Sequence, residues 1–336
     1  MGGADVSVIE HPRFNAYWAY VHHDQWEPQT FALLKTFARP DTVVVDIGAW
    51  IGPTTLFAAQ SARRVLAFEP DPGAYEMLTA NVAANPILAQ RITTSNACIS
   101  PTDGPVRMGS RSSQEGGDGA SSMLYADSSV GWECEGLTLQ TACARHGVDA
   151  IGLLKMDVEG AESVLIPAIA DLLLAHRPTL MLSMHPHFMA QPSTDVSRIA
   201  EVLAGYSALY TTDMERISPG YLLDPANLTR AYEVVATQHS PEALMDTPWA
   251  QHAAQTRRPD IAQLQSDART LHALAGMVTQ ETARLISVGQ SGFPASRLAA
   301  IQRGITQSKD LPSSNDPAVL QRFIHTFRRL YSMHMQ

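Results

Sequence analysis

The sequence predicts a doubly wound α/β domain with a mostly parallel sheet, and three observations carry that expectation. Short runs rich in Val, Ile and Leu alternate with amphipathic helical stretches from about residue 41 to 240, the pattern of parallel strands joined by helical crossovers. The first run, Thr42 to Ile47 (TVVVDI), is continuously apolar up to its acid, as a strand covered on both faces should be. It ends in a glycine-bearing turn, Asp46-Ile47-Gly48-Ala49-Trp50-Ile51-Gly52, followed by Pro53, whose missing N–H costs nothing at the start of a helix.

The remaining elements follow in order. Residues 1–40 read as a lead-in that is helical from Pro28 to Ala38. A second strand, Arg64 to Phe68, ends at Glu69-Pro70, and Asp71-Pro72 caps the next helix, with Tyr75, Leu78 and Val82 on one face. A third strand spans Ile92 to Ala97. Residues 101 to 136 loosen into Gly, Ser and Asp, too long for an idle connection, and read as a lid or substrate loop centred on Gly109 to Val130. Thr138 caps a short helix. Strand Gly152 to Met156 runs into Asp157, helix Ala161 to Ala175 follows, and strand Thr179 to Met184 runs into His185. Strands Ser207 to Thr211 and Tyr232 to Ala236 close the sheet. Residues 241–336 turn helical, with stripes at Leu264, Leu271, Val278 and Leu285 and at Leu320, Phe323, Phe327 and Leu330; these suit internal packing or a homodimer or partner contact.

Composition narrows the function. Apolar residues make up 45% of the 336 and charged ones 17%, with a formal net charge of −9. No basic stripe is present to release counterions, which argues against nucleic acid as a partner. Cys98, Cys134 and Cys143 form no metal-binding spacing and read as reduced thiols of a cytoplasmic protein. No apolar run is long enough for a membrane span.

The chemistry gathers at strand ends. Gly48 allows backbone to approach a ligand, and Gly52 allows close helix packing. Glu69, 17 residues after Gly52, can accept hydrogen bonds from both hydroxyls of an adenosine ribose. Nicotinamide dinucleotides use the same logic, but Trp50 stands where a second glycine would admit the pyrophosphate. A ligand with a sulfonium and an amino acid suits these acids better. Further on, Asp157, Glu159 and Glu162 place three carboxylates within six residues and need a compensating cation: a sulfonium, Lys155 or a divalent ion. Glu162 reads equally well as a helix-dipole acid. His185 and His187 share one side of an extended segment at i, i+2 spacing, which makes His185 a candidate base or acceptor-orienting group.

VVVDIGAWIGPTTLFAA, VLAFEPDPGAYEMLTANVAAN and LTLQTACARHGVDAIGLLKMDVEGAE together resemble the FkbM family of methyltransferases, from about Trp26 to His187. The resemblance implies a seven-stranded, Rossmann-like class I methyltransferase fold using S-adenosylmethionine. It implies O-methylation of a small polar acceptor, such as a sugar hydroxyl of a glycan or natural product. N-methylation and a non-catalytic assembly role in glycan synthesis are the alternatives. By resemblance Asp46, Gly48 and Gly52 hold the methionine part, Glu69 the ribose, and Asn96 and Ala97 the adenine, while Glu27 borders the cofactor. Asp157, Glu159 and His185 are then the catalytic candidates, with Asp157 also beside the cofactor. The same three are the candidate ligands of a metal such as Mg2+, which some relatives use. Relatives carry a Glu near His185, so this chain departs from the pattern at its candidate base.

Overall fold

The computed structural model describes residues 6–110, 119, 121–257, 261–287, 295–308, 312, 319–320 and 323–324. The chain divides into two compact units, Gln29–Ala253 and a second made of Met1–Pro28 with Ala254–Gln336.

The Gln29–Ala253 unit holds all twelve described strands: β1 Val43–Ile47, β2 Arg64–Phe68, β3 Ile92–Ser95, β4 Ala97–Ile99, β5 Gly104–Ser110, β6 Ser121–Ser122, β7 Gly131–Leu137, β8 Leu153–Met156, β9 Thr179–Met184, β10 Ala208–Tyr210, β11 Arg216–Ile217 and β12 Tyr232–Thr237. Eight form the main sheet in the order β11-β10-β12-β9-β8-β1-β2-β3. The run from β9 to β3 is parallel and the rest antiparallel. This is the expected α/β doubly wound class, with one strand more than the seven predicted. β1 is buried along its whole length, and Val45, Leu154, Leu180, Leu182 and Val234 meet Leu165, Ile166 and Ile199 in the principal core. β1 lies between β2 and β8, so the strand order reverses there and a crevice opens at the C-terminal strand ends.

The structure corrects the sequence reading in three places. The stretch 101–136 is not a loop alone: β5, β6 and β7 join β4 in a second, four-stranded sheet. β7 alternates exposed and half-buried residues over Gly131–Glu135, a signal hidden in sequence by Gly and Ser. Of the expected lid, residues 111–118 and 120 lie outside the described residues. The expected strand Ile92 to Ala97 is two strands in different sheets, parted at Asn96. The expected helix Ala161 to Ala175 is broken into Glu162–Ala168 and Ala170–His176. Pro167 lacks an N–H and crowds the carbonyl four residues back, and Ile169 leaves helical geometry at φ −103° and ψ 12°.

In the other unit, helix Ile261–Ser287 buries Leu264, Ala268, Leu271 and Leu274, one face at helical spacing. His272 Nε2 lies 2.9 Å from the Ile305 carbonyl and its ring stacks near Phe323. Val278 is half-buried; Leu320 and Phe323 are buried. The side chain of Leu285, and Phe327 and Leu330, lie outside the described residues. Among the described residues no helix is long and apolar enough to cross a membrane. Cys98, Cys134 and Cys143 are free thiols.

Candidate active site

At the C-terminal ends of β1, β2 and β8 lies a cleft of about 750 Å³, its open mouth included. Its floor is the glycine turn. Gly48 sits at φ 78°, and a Cβ there would stand 1.8 Å from the Asp157 carbonyl oxygen, so only glycine lets the β1 and β8 loops meet this closely. Gly52, at φ 98°, caps the helix Pro53–Ala59, and a Cβ there would meet Leu78 at 2.8 Å. Trp50 adopts φ 49°, a left-handed conformation uncommon for a side chain of its size.

Two acids hold this turn in different ways. Asp46 is 1% exposed. Its Oδ2 accepts hydrogen bonds from the Thr54 and Thr55 hydroxyls, each at 2.7 Å, and its Oδ1 lies 3.4 Å from Lys155 Nζ. Lys155 also donates to the Gly48 carbonyl at 2.9 Å. Asp46 is not among the residues that line the cleft; it ties the turn to the helix behind it. Lys155, one of the expected compensating cations for the later acids, is engaged here instead.

Glu69 does line the cleft. Its two carboxylate oxygens accept the Trp50 and Asp71 backbone N–H groups, each at 2.8 Å. Burial pushes its pKa up to about 8, against the pull of those two N–H bonds and of Lys155. Asn96 donates from Nδ2 to the Glu69 carbonyl at 2.8 Å and braces that residue, while Ala97 forms part of the cleft wall. Phe68, Ala74, Ile99 and Met108 add apolar surface. Ser121, from the second sheet, donates to Asp71 Oδ2 at 2.9 Å.

The acidic loop after β8 supplies the other side. Asp157 and Glu159 line the cleft, Glu159 at φ 52°. Glu162 is fully buried. His185 stands behind them, with Nδ1 3.0 Å from Glu162 Oε1 and Nε2 3.8 and 3.9 Å from Asp157 Oδ1 and Glu159 Oε1. Its ring stacks on Phe188, 5.9 Å away and 4° from parallel. Burial pulls the His185 pKa down, but the charges of Glu162, Glu159 and Asp157 and the Glu162 hydrogen bond outweigh it and raise it to about 10. The three carboxylates thus favour the charged form of His185 against its burial.

The sequence-predicted residues thus fall into two groups. Gly48, Glu69, Ala97, Asp157 and Glu159 face one cleft, while Asp46, Gly52, Asn96 and His185 support it from behind. Glu27 belongs to the other unit and stands at φ 38°. Pro186–Phe188 is a 3₁₀ turn rather than an extended segment; His187 is exposed while His185 is buried, and their rings stand 6.1 Å apart. Sequence reasoning missed Glu233, whose carboxylate accepts from Thr30 at 3.3 Å and Gln29 at 3.5 Å. Burial raises its pKa and the nearby Asp157 charge adds to that. It reaches this end of the sheet only because β12 runs antiparallel to β9, which no local motif announces.

Comparison with known proteins gives one sequence match and several distant structural ones. Residues 46–209 match the methyltransferase FkbM domain. No curated protein matches. Among solved structures, the methyltransferase FkbM of Methylobacillus flagellatus KT shares 17% identity over 52% of this chain at a TM-score of 0.32. This chain spans 45% of that protein's length. The O-methyltransferase of Bacillus cereus, solved with SAH, shares 12% over 68% of this chain and 90% of its own, at 0.36. The precorrin-6y C5,15-methyltransferase of Geobacter metallireducens GS-15 shares 13% over 63% and 88%, at 0.34.

Proposed function

We propose, from the match of residues 46–209 to the methyltransferase FkbM domain, that the protein is an S-adenosylmethionine-dependent O-methyltransferase acting on a hydroxyl of a small polar acceptor, such as a sugar. The observation that carries the proposal is Glu69. It is a buried carboxylate on the cleft wall, aimed by two backbone N–H groups, with lone pairs left to accept two ribose hydroxyls.

The other residues present fit the same cofactor. Phe68, Ala74, Ala97, Ile99 and Met108 offer an apolar slot for a purine beside Glu69. Gly48 and Asp157 would hold the amino-acid end. The Trp50 N–H points to Glu69 rather than standing ready for a pyrophosphate, which speaks for a sulfonium donor over a nicotinamide dinucleotide. S-adenosylmethionine, when bound, supplies an electrophilic methyl group.

The rest of the chemistry belongs to this chain. Holding an acceptor oxygen in line with that methyl can lower the barrier by roughly 7–11 kcal/mol. A hydroxyl also needs to lose its proton, and a placed base adds about 10²- to 10⁴-fold. Asp157, with a third of its side chain exposed, and Glu159 face the cleft and can accept that proton. Both His185 ring nitrogens face carboxylates, so His185 acts as a positioning residue that fixes Asp157 and Glu159. The acidic wall favours a neutral polyhydroxyl or an amine over an anionic acceptor.

The test is transfer of a labelled methyl group to pooled sugars and glycolipids, alongside calorimetry with adenosylhomocysteine. Micromolar binding and label on an oxygen support the proposal. Absence of binding by folded protein would refute it, and label on nitrogen would move it to the N-methyltransferase alternative.

A further inference from the structure

We infer that Asp157, Glu159 and His185 form a binding site for a first-row divalent transition ion, with Glu162 as the carboxylate that orients the histidine. One ligand atom from each of the three lies within 4.8 Å of the others. Ligand atoms around a common ion, each at about 2.0–2.2 Å, stand roughly 3–3.6 Å apart. The His185 Nε2 separations of 3.8 and 3.9 Å exceed that by a few tenths of an ångström, and the span of up to 4.8 Å across the three atoms would close as the carboxylates turn onto the ion. The ligands come from the loop after β8 and the end of β9, neighbouring strands of a rigid parallel ladder, which holds them in register.

Two further observations point to an ion rather than a bare acidic cluster. The imidazole is already arranged as a ligand: Nδ1 is tied at 3.0 Å to Glu162 Oε1, leaving Nε2 aimed between Asp157 and Glu159. A carboxylate holding the far nitrogen is the usual outer partner of a metal-bound histidine, because it fixes the tautomer and raises the basicity of the ligating nitrogen. Glu162 is also fully buried, and its second oxygen, Oε2, has no hydrogen-bond partner among the described residues. Three carboxylates face one imidazole here, and Lys155 is engaged by Asp46 and the Gly48 carbonyl.

The donor set selects the ion. Magnesium prefers an all-oxygen octahedron with several waters, whereas imidazole with carboxylates suits zinc, manganese, iron or cobalt. The site is thus expected to reject the magnesium that the family resemblance suggests. The open side of the cluster is the cleft that Asp157 and Glu159 line, so the ion would place positive charge beside the acceptor. That use rests on the methyl-transfer reading above; the binding itself does not.

The experiment is titration of tag-free, chelator-treated protein with Co2+ alone, read by its visible d–d absorption, followed by competition with Zn2+ and Mg2+. Expected are a single saturating site, displacement by Zn2+, and no displacement by a hundredfold excess of Mg2+. His185→Gln and Asp157→Asn should each weaken Co2+ at least 100-fold, and Glu162→Gln about 10- to 100-fold. Adenosylhomocysteine binding is measured on every protein. Folded parent that binds adenosylhomocysteine but gives no Co2+ bands overturns the ion site and leaves the methyltransferase reading standing. Co2+ bands without adenosylhomocysteine binding do the reverse. Equal Co2+ binding by Asp157→Asn, whose partly exposed side chain makes it the variant safest for folding, also overturns the site, as does easy displacement by Mg2+.

Discussion

Replacing Glu69 by Gln isolates the residue on which cofactor recognition depends. The parent carboxylate takes one N–H on each oxygen, from Trp50 and Asp71. A glutamine keeps one oxygen but must turn its NH₂ toward one of those two N–H groups, leaving a donor facing a donor. An unsatisfied buried donor costs about 1–3 kcal/mol, partly offset because a neutral amide escapes the burial penalty that raises the Glu69 pKa. The fold should therefore survive. Binding suffers more. A hydrogen bond to a charged group contributes about 1.5–3 kcal/mol; with one ribose hydroxyl left without its acceptor and the other held more weakly, the deficit is about 2–4 kcal/mol, roughly 30- to 1000-fold in Kd. Titration calorimetry with adenosylhomocysteine, beside a thermal melt, measures both effects. A Kd within threefold of the parent, in protein that melts normally, would refute the ribose assignment.

Other predictions follow from the same geometry. Because burial raises the Glu69 pKa to about 8, this carboxyl stabilises the ligand-free fold fully only below its unfolded value. That contribution is lost as pH climbs toward and through 8, so melting temperature should fall over this window in the parent and stay flatter in Glu69→Gln. Ribose hydroxyls favour the ionised form, so adenosylhomocysteine should bind more tightly as pH rises from 6 to 9, with proton release visible in buffers of different ionisation enthalpy. Asp46→Ala leaves Lys155 buried without its carboxylate partner and should cost about 3–5 kcal/mol of stability, read as a lower urea midpoint. An unchanged midpoint with abolished ligand binding would show instead that Asp46 touches the ligand. Gly48→Ala forces a Cβ to within 1.8 Å of the Asp157 carbonyl, and near-UV circular dichroism should report displaced loops and binding should be abolished.

The local chemistry of the chain was legible because it obeys short-range rules. The apolar run before Asp46, the proline after Gly52 and the Asp71-Pro72 cap each satisfy a backbone requirement within a few residues, so strand, turn and helix could be read in order. Glu69 was legible for the same reason: a strand end fixes where its side chain must stand. The second sheet was not, because β4 pairs with β7 across more than thirty residues and the short alternation in β5 and β7 is interrupted by glycines and by the Gly- and Ser-rich stretch between them. The 3₁₀ turn at Pro186 likewise was not legible, and it leaves His185 buried and His187 exposed where extended spacing would have treated them alike.

What the sequence determined by itself is the βα order, the glycine turn and the strand-end acids, since chain connectivity and backbone sterics act locally. Only the tertiary structure decided which of those acids face the cleft. Asp46 turns inward to two threonine hydroxyls and Lys155, Glu69 opens onto the cleft, and His185 lies behind Asp157 and Glu159 with the buried Glu162 on its far side. That division depends on which cations and hydroxyls folding brings within hydrogen-bond reach, and those partners come from distant parts of the chain.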